Sequence, residues 1–319
     1  MADQSEQPDL ASQMQQLYQR FGNLPGVHIE LHQNLLAVYV QTPKAEARVF
    51  LQGAQVSHFQ PKGQPPVLWL SEHNQYQVGK PLRGGIPISW PWFADLARNP
   101  ADLRQQVTGD DAPAHGFVRN CDWQLDDIVV DKDVYHLHLS CRPQSKHWPY
   151  ACRLGLVVSV DEALTLALSV TNLSDRPWRY ALALHSYFQV EQISEVTVPS
   201  LAGQAYLDCL TDWQPCQQQD ALEIGEEVDR VYTQAPKRIA LQDAVAGRSI
   251  VLTSQNLPSL VAWNPWQEKG SRLSQFGTED HNNMLCLENA ALLDDAVTVA
   301  PKEKQVHTLK IESSRQLIH

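Results

Sequence analysis

The residues best suited to proton chemistry stand in two apolar runs. In "RYALALHSYFQV", residues 179–190, His185 is a titratable ring inside a stretch that alternates like a β-strand. Successive side chains of a strand point to opposite faces. That rule puts Leu182, Leu184, Ser186, Phe188 and Val190 on one side and Ala181, Ala183, His185, Tyr187 and Gln189 on the other. The bulky face reads as core, and Ala181 and Ala183 are small enough to leave a cleft beside the ring. In "NMLCLENAA", residues 283–291, Glu288 shares a face with Met284, Cys286 and Ala290. An unpaired buried carboxylate is costly, so Glu288 meets either a core arginine or a ligand. His185 has the same two readings, a hydrogen-bonded strand residue or the wall of a cleft. An imidazole and a carboxylate on one cleft would supply general acid and base catalysis.

Two further segments carry polar groups in unusual settings. "PLRGGIPISWPWF", residues 81–93, bends at Arg83 beside Gly84 and Gly85, and its prolines stiffen it. "AHGFVRN", residues 114–120, groups His115, Gly116 and Arg119. The nine tryptophans suit sugar faces where they reach a rim, but one or two are expected in a site and the rest in the core. His136 and His138 in "HLH" share a strand face, which could hold a metal. With no third ligand at a telling spacing, an exposed strand face is the better reading, and no metal site is expected.

Composition excludes several classes. The chain has 319 residues, 43% hydrophobic and 19% charged, without an apolar run long enough to span a bilayer. Its start, "MADQSEQPDLASQMQQLYQRF", lacks the basic and apolar regions of a signal peptide, so a cytoplasmic protein that does not engage membranes is expected. A net charge of −11 with no basic cluster argues against a nucleic-acid partner; an anionic ligand must be met by a few placed arginines. The six cysteines form no CxxC pair and read as free thiols. GxSxG, GxxxxGK[ST] and GxGxxG motifs are absent, which excludes the commonest hydrolase, nucleotide and dinucleotide sites.

The elements that must position these residues are strands. Residues 1–24 form an N-terminal appendage, with Leu10, Met14, Leu17 and Phe21 spaced as on an amphipathic helix. From residue 25 to 319, period-two runs of five to eight residues alternate with turn signals, which predicts one all-β domain, a large antiparallel sandwich with few short helices. "VVSVDEALTLALSV" is a hairpin around Asp161 and Glu162, and "VTNLSDRPWRYALAL" a second around residues 174–177. The long connection over residues 71–110 interrupts this alternation, and such loops in compact domains usually serve function. No coiled-coil pattern or other assembly device appears, and a monomer is expected.

In order along the chain, "LRGGIPISWPWF", "HGFVRN", "TNLSDRPWRYALALHSYFQV", "EVDRVY", "VAWNPWQEKG" and "MLCLENAA" resemble the hexose-6-phosphate mutarotases, or glucose-6-phosphate 1-epimerases, of the aldose 1-epimerase (galactose mutarotase-like) superfamily. The resemblance spans residues 30 to 300 and implies a β-supersandwich with a sugar cleft on one sheet. It implies His185 as catalytic acid and Glu288 as catalytic base, Arg83 and Arg119 as phosphate contacts, and Asp229 as a sugar contact. It places His115 where related galactose mutarotases use a further histidine. Ala114 stands where some members carry a substrate-binding glutamine. The implied reaction interconverts the anomers of a hexose 6-phosphate by ring opening and needs no cofactor. Its two proton carriers are expected on opposite sides of the sugar, with the nearby carboxylate favouring the protonated form of His185. Alternatives are a mutarotase for unphosphorylated aldoses, or a carbohydrate-binding or regulatory protein without turnover.

Overall fold

The computed structural model describes residues 9–317. Antiparallel strands dominate it. A nine-stranded sheet runs in the order Leu222–Glu223, Val196–Val198, Arg238–Asp243, Arg248–Gln255, Lys304–Ser314, Ala163–Asn172, Cys152–Val160, Val134–Cys141 and Gln124–Asp131. An eight-stranded sheet runs Gln214–Gln217, Ala205–Asp208, Val228–Tyr232, Ser259–Asn264, Met284–Ala291, Leu182–Leu184 and Ile88–Ser89, with Tyr187–Gln189 also paired to Met284–Ala291. Four consecutive strands between Val27 and Pro61 make a smaller meander. One apolar cluster extends from Leu17 to Ile311 and draws on all three sheets.

The nine-stranded sheet follows from its sequence. In Ala163–Asn172 burial alternates at every position, and the period-two run places its leucines on one face. The hairpin from Cys152–Val160 to Ala163–Asn172 forms as the sequence predicts. The second expected hairpin does not. Trp178–Tyr180 leaves the sheet and pairs with Val297–Val299 instead. Asn172, fully buried, causes the departure: its side-chain amide donates to the carbonyls of Arg176 and Val299, and its Oδ1 accepts from Ser174. The turn residues are thereby tied to a distant strand rather than to a returning partner. His136 and His138 lie half-buried on Val134–Cys141, and His136 Nδ1 meets Ser159 Oγ at 2.8 Å. Among the described residues they belong to no metal-binding cluster.

The helix Leu10–Phe21 is capped by Asp9, whose carboxylate accepts from Ser12 N–H at 2.8 Å. Leu17 and Phe21 insert into the main core, and Arg20 donates to the carbonyls of Leu125 and Asp126. Among the described residues no helix is long and apolar enough to cross a membrane.

Most of the tryptophans are core. Trp90, Trp148 and Trp178 meet edge to face with ring centroids 5.5–6.0 Å apart, a preferred arrangement of aromatic quadrupoles. Trp178→Ala should therefore cost about 3–5 kcal/mol in urea unfolding. A loss below about 1 kcal/mol would show that this aromatic cluster does not hold the sheets together.

Candidate active site

The segment carrying His185 is a strand with a gap. Leu182–Leu184 and Tyr187–Gln189 both pair with Met284–Ala291, through Leu184 opposite Asn289 and Tyr187 opposite Cys286. The register is the same on either side of the gap, so His185 faces Glu288 directly. At the gap His185 N–H donates to the Pro87 carbonyl, while Leu287 N–H donates to the Ser186 carbonyl. His185 Nε2 stands 3.3 Å from Glu288 Oε1, with both side chains almost wholly buried. The sequence left open whether a core arginine answers Glu288; its partner is the histidine.

Neighbouring strands extend this face. Asp229 lies opposite Trp263, Trp263 opposite Cys286, and Cys286 opposite Tyr187. Val261 lies opposite Glu288 in the adjoining row. Tyr187 stacks on the His185 ring at 4.7 Å and 6°, and Trp263 stands edge-on to it at 6.3 Å. Above this floor opens a cleft of about 440 Å³, lined by His185, Glu288, Arg83, His115, Arg119 and Asp229 together with Tyr187, Trp263, Trp213, Lys269 and Arg98 among others. All six residues singled out from the sequence thus border one cavity. Its position corrects one expectation. Ala181 and Ala183 are fully buried, and Ser89, opposite Ala183, holds His115 across a 3.4 Å contact. The space over the alanines is filled, and the cleft opens on the Val261 and Trp263 side.

The loops fix the basic groups. Gly84 has φ +109° and Gly85 φ +65°. A Cβ at Gly84 would lie 2.6 Å from the Trp69 carbonyl oxygen, so only glycine lets the chain pass there. This turn delivers Arg83, whose backbone N–H donates to Asn74 Oδ1 and whose Nε donates to the Ser274 carbonyl. His115 adopts φ +62°, a left-handed conformation uncommon outside glycine and asparagine. Gly116 follows at φ +68° and lies so close to Trp90 that a Cβ would be 1.9 Å from its carbonyl oxygen. Arg119 Nη2 donates to the Ala114 carbonyl at 2.9 Å, while its buried Nε has no hydrogen-bond partner. Position 114 therefore contributes its backbone, not a side chain, to the site. Asp229 is 3.6 Å from Lys269 Nζ, which also binds Glu227 at 2.8 Å.

Burial governs the charges. It lowers the proton affinity of His185 well below the ordinary range, and His115, Arg119 and Arg83 depress it further. Burial also pushes His115 down to about 3. Glu288 is raised well above the usual carboxylate value, by burial first and then by Asp229. The expectation that the nearby carboxylate raises the proton affinity of His185 is not met: burial first, then His115, Arg119 and Arg83, lower it. Neutral imidazole beside carboxylic acid contains the same protons as imidazolium beside carboxylate. The two arrangements differ only in which side of a 3.3 Å contact holds one of them.

Several lining residues were not singled out in the sequence. Tyr187 was signalled, since it shares the face of His185. Trp263 and Lys269 lie within "VAWNPWQEKG", a stretch tied to the site by resemblance but without an assigned role. Trp213 and Arg98 come from irregular segments, where no periodicity points to them. Two tryptophans of nine border the cleft.

The raised carboxyl sets a stability dependence. Above pH 4.5 the unfolded chain releases a proton that native Glu288 retains. This group's contribution is therefore whole at low pH and declines as pH rises toward its native value. Glu288→Gln should melt at a higher temperature than the parent at pH 8, with the gap closing toward pH 4.5. A pH-independent gap, or a lower melting point throughout, would contradict a proton held on Glu288.

Residues 37–312 match the family model for aldose 1-epimerases. A protein of Cenchrus ciliaris, provisionally described as a glucose-6-phosphate 1-epimerase, is 34% identical over 81% of this chain and 78% of its own length. One of the same description from Escherichia coli K12 is 28% identical over 85% of this chain and 87% of its own. Among solved structures, a provisionally assigned mutarotase of Salmonella typhimurium superposes with a TM-score of 0.82 at 24% identity, covering 91% of this chain and 94% of the other. A galactose mutarotase-like protein of Clostridium acetobutylicum gives 0.69 at 14% identity, covering 90% and 98%. The likeness of these structures shows the fold, and the match along nearly the whole sequence shows the lineage: the chain belongs to the aldose 1-epimerase family.

Proposed function

We propose that the protein interconverts the α and β anomers of a hexose 6-phosphate, glucose 6-phosphate foremost, by opening and reclosing the pyranose ring. The observation that carries this reading is His185 Nε2 and Glu288 Oε1 standing 3.3 Å apart on the floor of a cleft that two arginines also line. A cyclic hemiacetal bears its ring oxygen and its hydroxyl on one carbon. Carriers serving both oxygens are best placed as neighbours, as this pair is, rather than on opposite sides of the sugar. The names of the relatives from Cenchrus ciliaris and Escherichia coli point to the same substrate.

In ring opening, Glu288 as carboxylate takes the proton of the C1 hydroxyl while His185 as imidazolium gives one to the ring oxygen. The ring C–O bond breaks and the aldehyde forms. The pair is left as neutral imidazole and carboxylic acid, the arrangement that burial favours. After rotation about the C1–C2 bond, both transfers run backwards and the ring closes on either face. The proton count of pair and sugar is constant throughout, so no solvent proton is required. Arg83 and Arg119 fit the 6-phosphate, since guanidinium stays charged and offers a fork of donors. They also lower the proton affinity of His185, and a bound phosphate dianion would offset that effect. A phosphorylated sugar thereby makes the imidazolium arrangement more accessible than a free one does. Asp229, Trp263 and His115 remain to hold the hydroxyls and ring face of the sugar.

Exchange NMR on glucose 6-phosphate tests the reading. His185→Ala and Glu288→Gln should each slow anomer exchange by at least about 10², the usual contribution of one acid or base. Arg119→Ala should lose turnover of the phosphorylated sugar while sparing whatever rate free galactose shows. Unchanged exchange in either proton-carrier variant would refute the mechanism. A loss shared equally by both sugars would favour an unphosphorylated substrate, and binding without faster exchange would favour a non-catalytic protein.

A further inference from the structure

Cys286 has no part in the chemistry described above. It is fully buried in Met284–Ala291, two residues before Glu288 and so on the same face of the strand, directly opposite Tyr187. Its Sγ, a ring nitrogen of His185 and a carboxylate oxygen of Glu288 all lie within 4.8 Å of one another, the one such cluster found among the described residues. Two more atoms at this spot are buried without hydrogen-bond partners, His185 Nδ1 and Glu288 Oε2. We propose that Cys286, His185 and Glu288 form an inhibitory site for a thiophilic divalent cation, of which zinc and cadmium are the type, and that the ion excludes substrate by occupying both proton carriers.

The donor set selects the ion. One thiolate, one imidazole and one carboxylate suit zinc-like cations, whereas magnesium and calcium prefer oxygen alone. Bonds of about 2.0–2.3 Å place the ligands of a tetrahedral ion roughly 3.3–3.8 Å apart. His185 and Glu288 are already at 3.3 Å, so only the thiol must draw inward. Three protein ligands leave a fourth position for water, the pattern of an open zinc site. Charge balance also permits it. The ion displaces the thiol proton and the carboxyl proton to solvent, and neutral imidazole contributes a lone pair. A doubly charged cation held by two anions adds no net charge below Arg83, Arg119 and His115. Ring opening itself uses only the metal-free pair, and so the ion acts as a competitor.

Titrating metal-stripped protein with cadmium chloride tests this directly. One equivalent should produce an ultraviolet sulfur-to-cadmium absorption, displaced by excess glucose 6-phosphate. Cys286→Ser should abolish the band, and Cys209→Ser should keep it. Zinc should inhibit anomer exchange of the parent at concentrations at least about tenfold below those that affect Cys286→Ser, each measured relative to the same protein without metal. If Cys286→Ser does not fold, the parent titration and Glu288→Gln decide: the latter should bind cadmium at least tenfold more weakly. A band that survives loss of Cys286, or one indifferent to both Glu288→Gln and the sugar phosphate, overturns the site. The readouts separate this inference from the proposed reaction. A protein that binds cadmium through Cys286 yet leaves sugar phosphates unexchanged keeps the metal site and loses the mutarotase reading, and the reverse result does the opposite.

Discussion

The arrangement of the site depends on a single strand register. Leu184 opposite Asn289 and Tyr187 opposite Cys286 put an imidazole and a carboxyl side by side on one face, although about a hundred residues of sequence separate them. Side chains alternate with period two, so a slip of one residue would send Glu288 into the apolar interior and bring Leu287 to the floor. Core packing on the opposite face prevents that slip, because Leu182, Leu184, Leu285 and Leu287 are all fully buried. The same apolar contacts that stabilise the sandwich thus fix the distance between His185 and Glu288.

Burial of this pair has an energetic cost that the fold tolerates. A charged group removed from water is expensive, and here burial shifts each partner toward its neutral form, raising the proton affinity of Glu288 and lowering that of His185. Each is left with one unsatisfied polar atom. His115 adds a left-handed backbone beside them. Strain, desolvation and unmet hydrogen bonds collected in one cavity are a common mark of a functional site, and they are borne by a large core elsewhere in the sandwich.

Much of this was legible in the sequence because it is written in alternation. The all-β architecture, the faces of the two key strands and the first hairpin follow from period-two burial. The six candidate residues border one cleft, but their convergence could be inferred only from resemblance, since no local pattern encodes which strands become neighbours. Four readings failed for identifiable reasons. His185 and Glu288 stand side by side rather than opposed because facing residues of paired strands share a face. The hairpin after Asn172 fails because that buried amide ties the turn to Val299, a long-range bond invisible locally. Ala181 and Ala183 are fully buried, with the distant strand residue Ser89 set opposite Ala183, a neighbour that periodicity does not predict. The protonated histidine fails because burial, and after it His115, Arg119 and Arg83, lower its proton affinity, and these surroundings are assembled from distant segments. Trp213 and Arg98, on irregular stretches, left no signal.

His185 and Glu288 stand on the strand framework, whereas Arg83 and Arg119 are delivered by a glycine turn and a short 3-10 segment. Strand residues are locked by pairing on both sides and by the core beneath them, while the turn is held by contacts of its backbone and of Arg83 with Asn74, Trp69 and Ser274. The paired face and the loop cations are therefore heritable separately. Drift in the two loops can change the cationic wall of the cleft without disturbing the ladder that sets His185 against Glu288, which gives a lineage built on this sandwich room to diversify at the rim while keeping one floor.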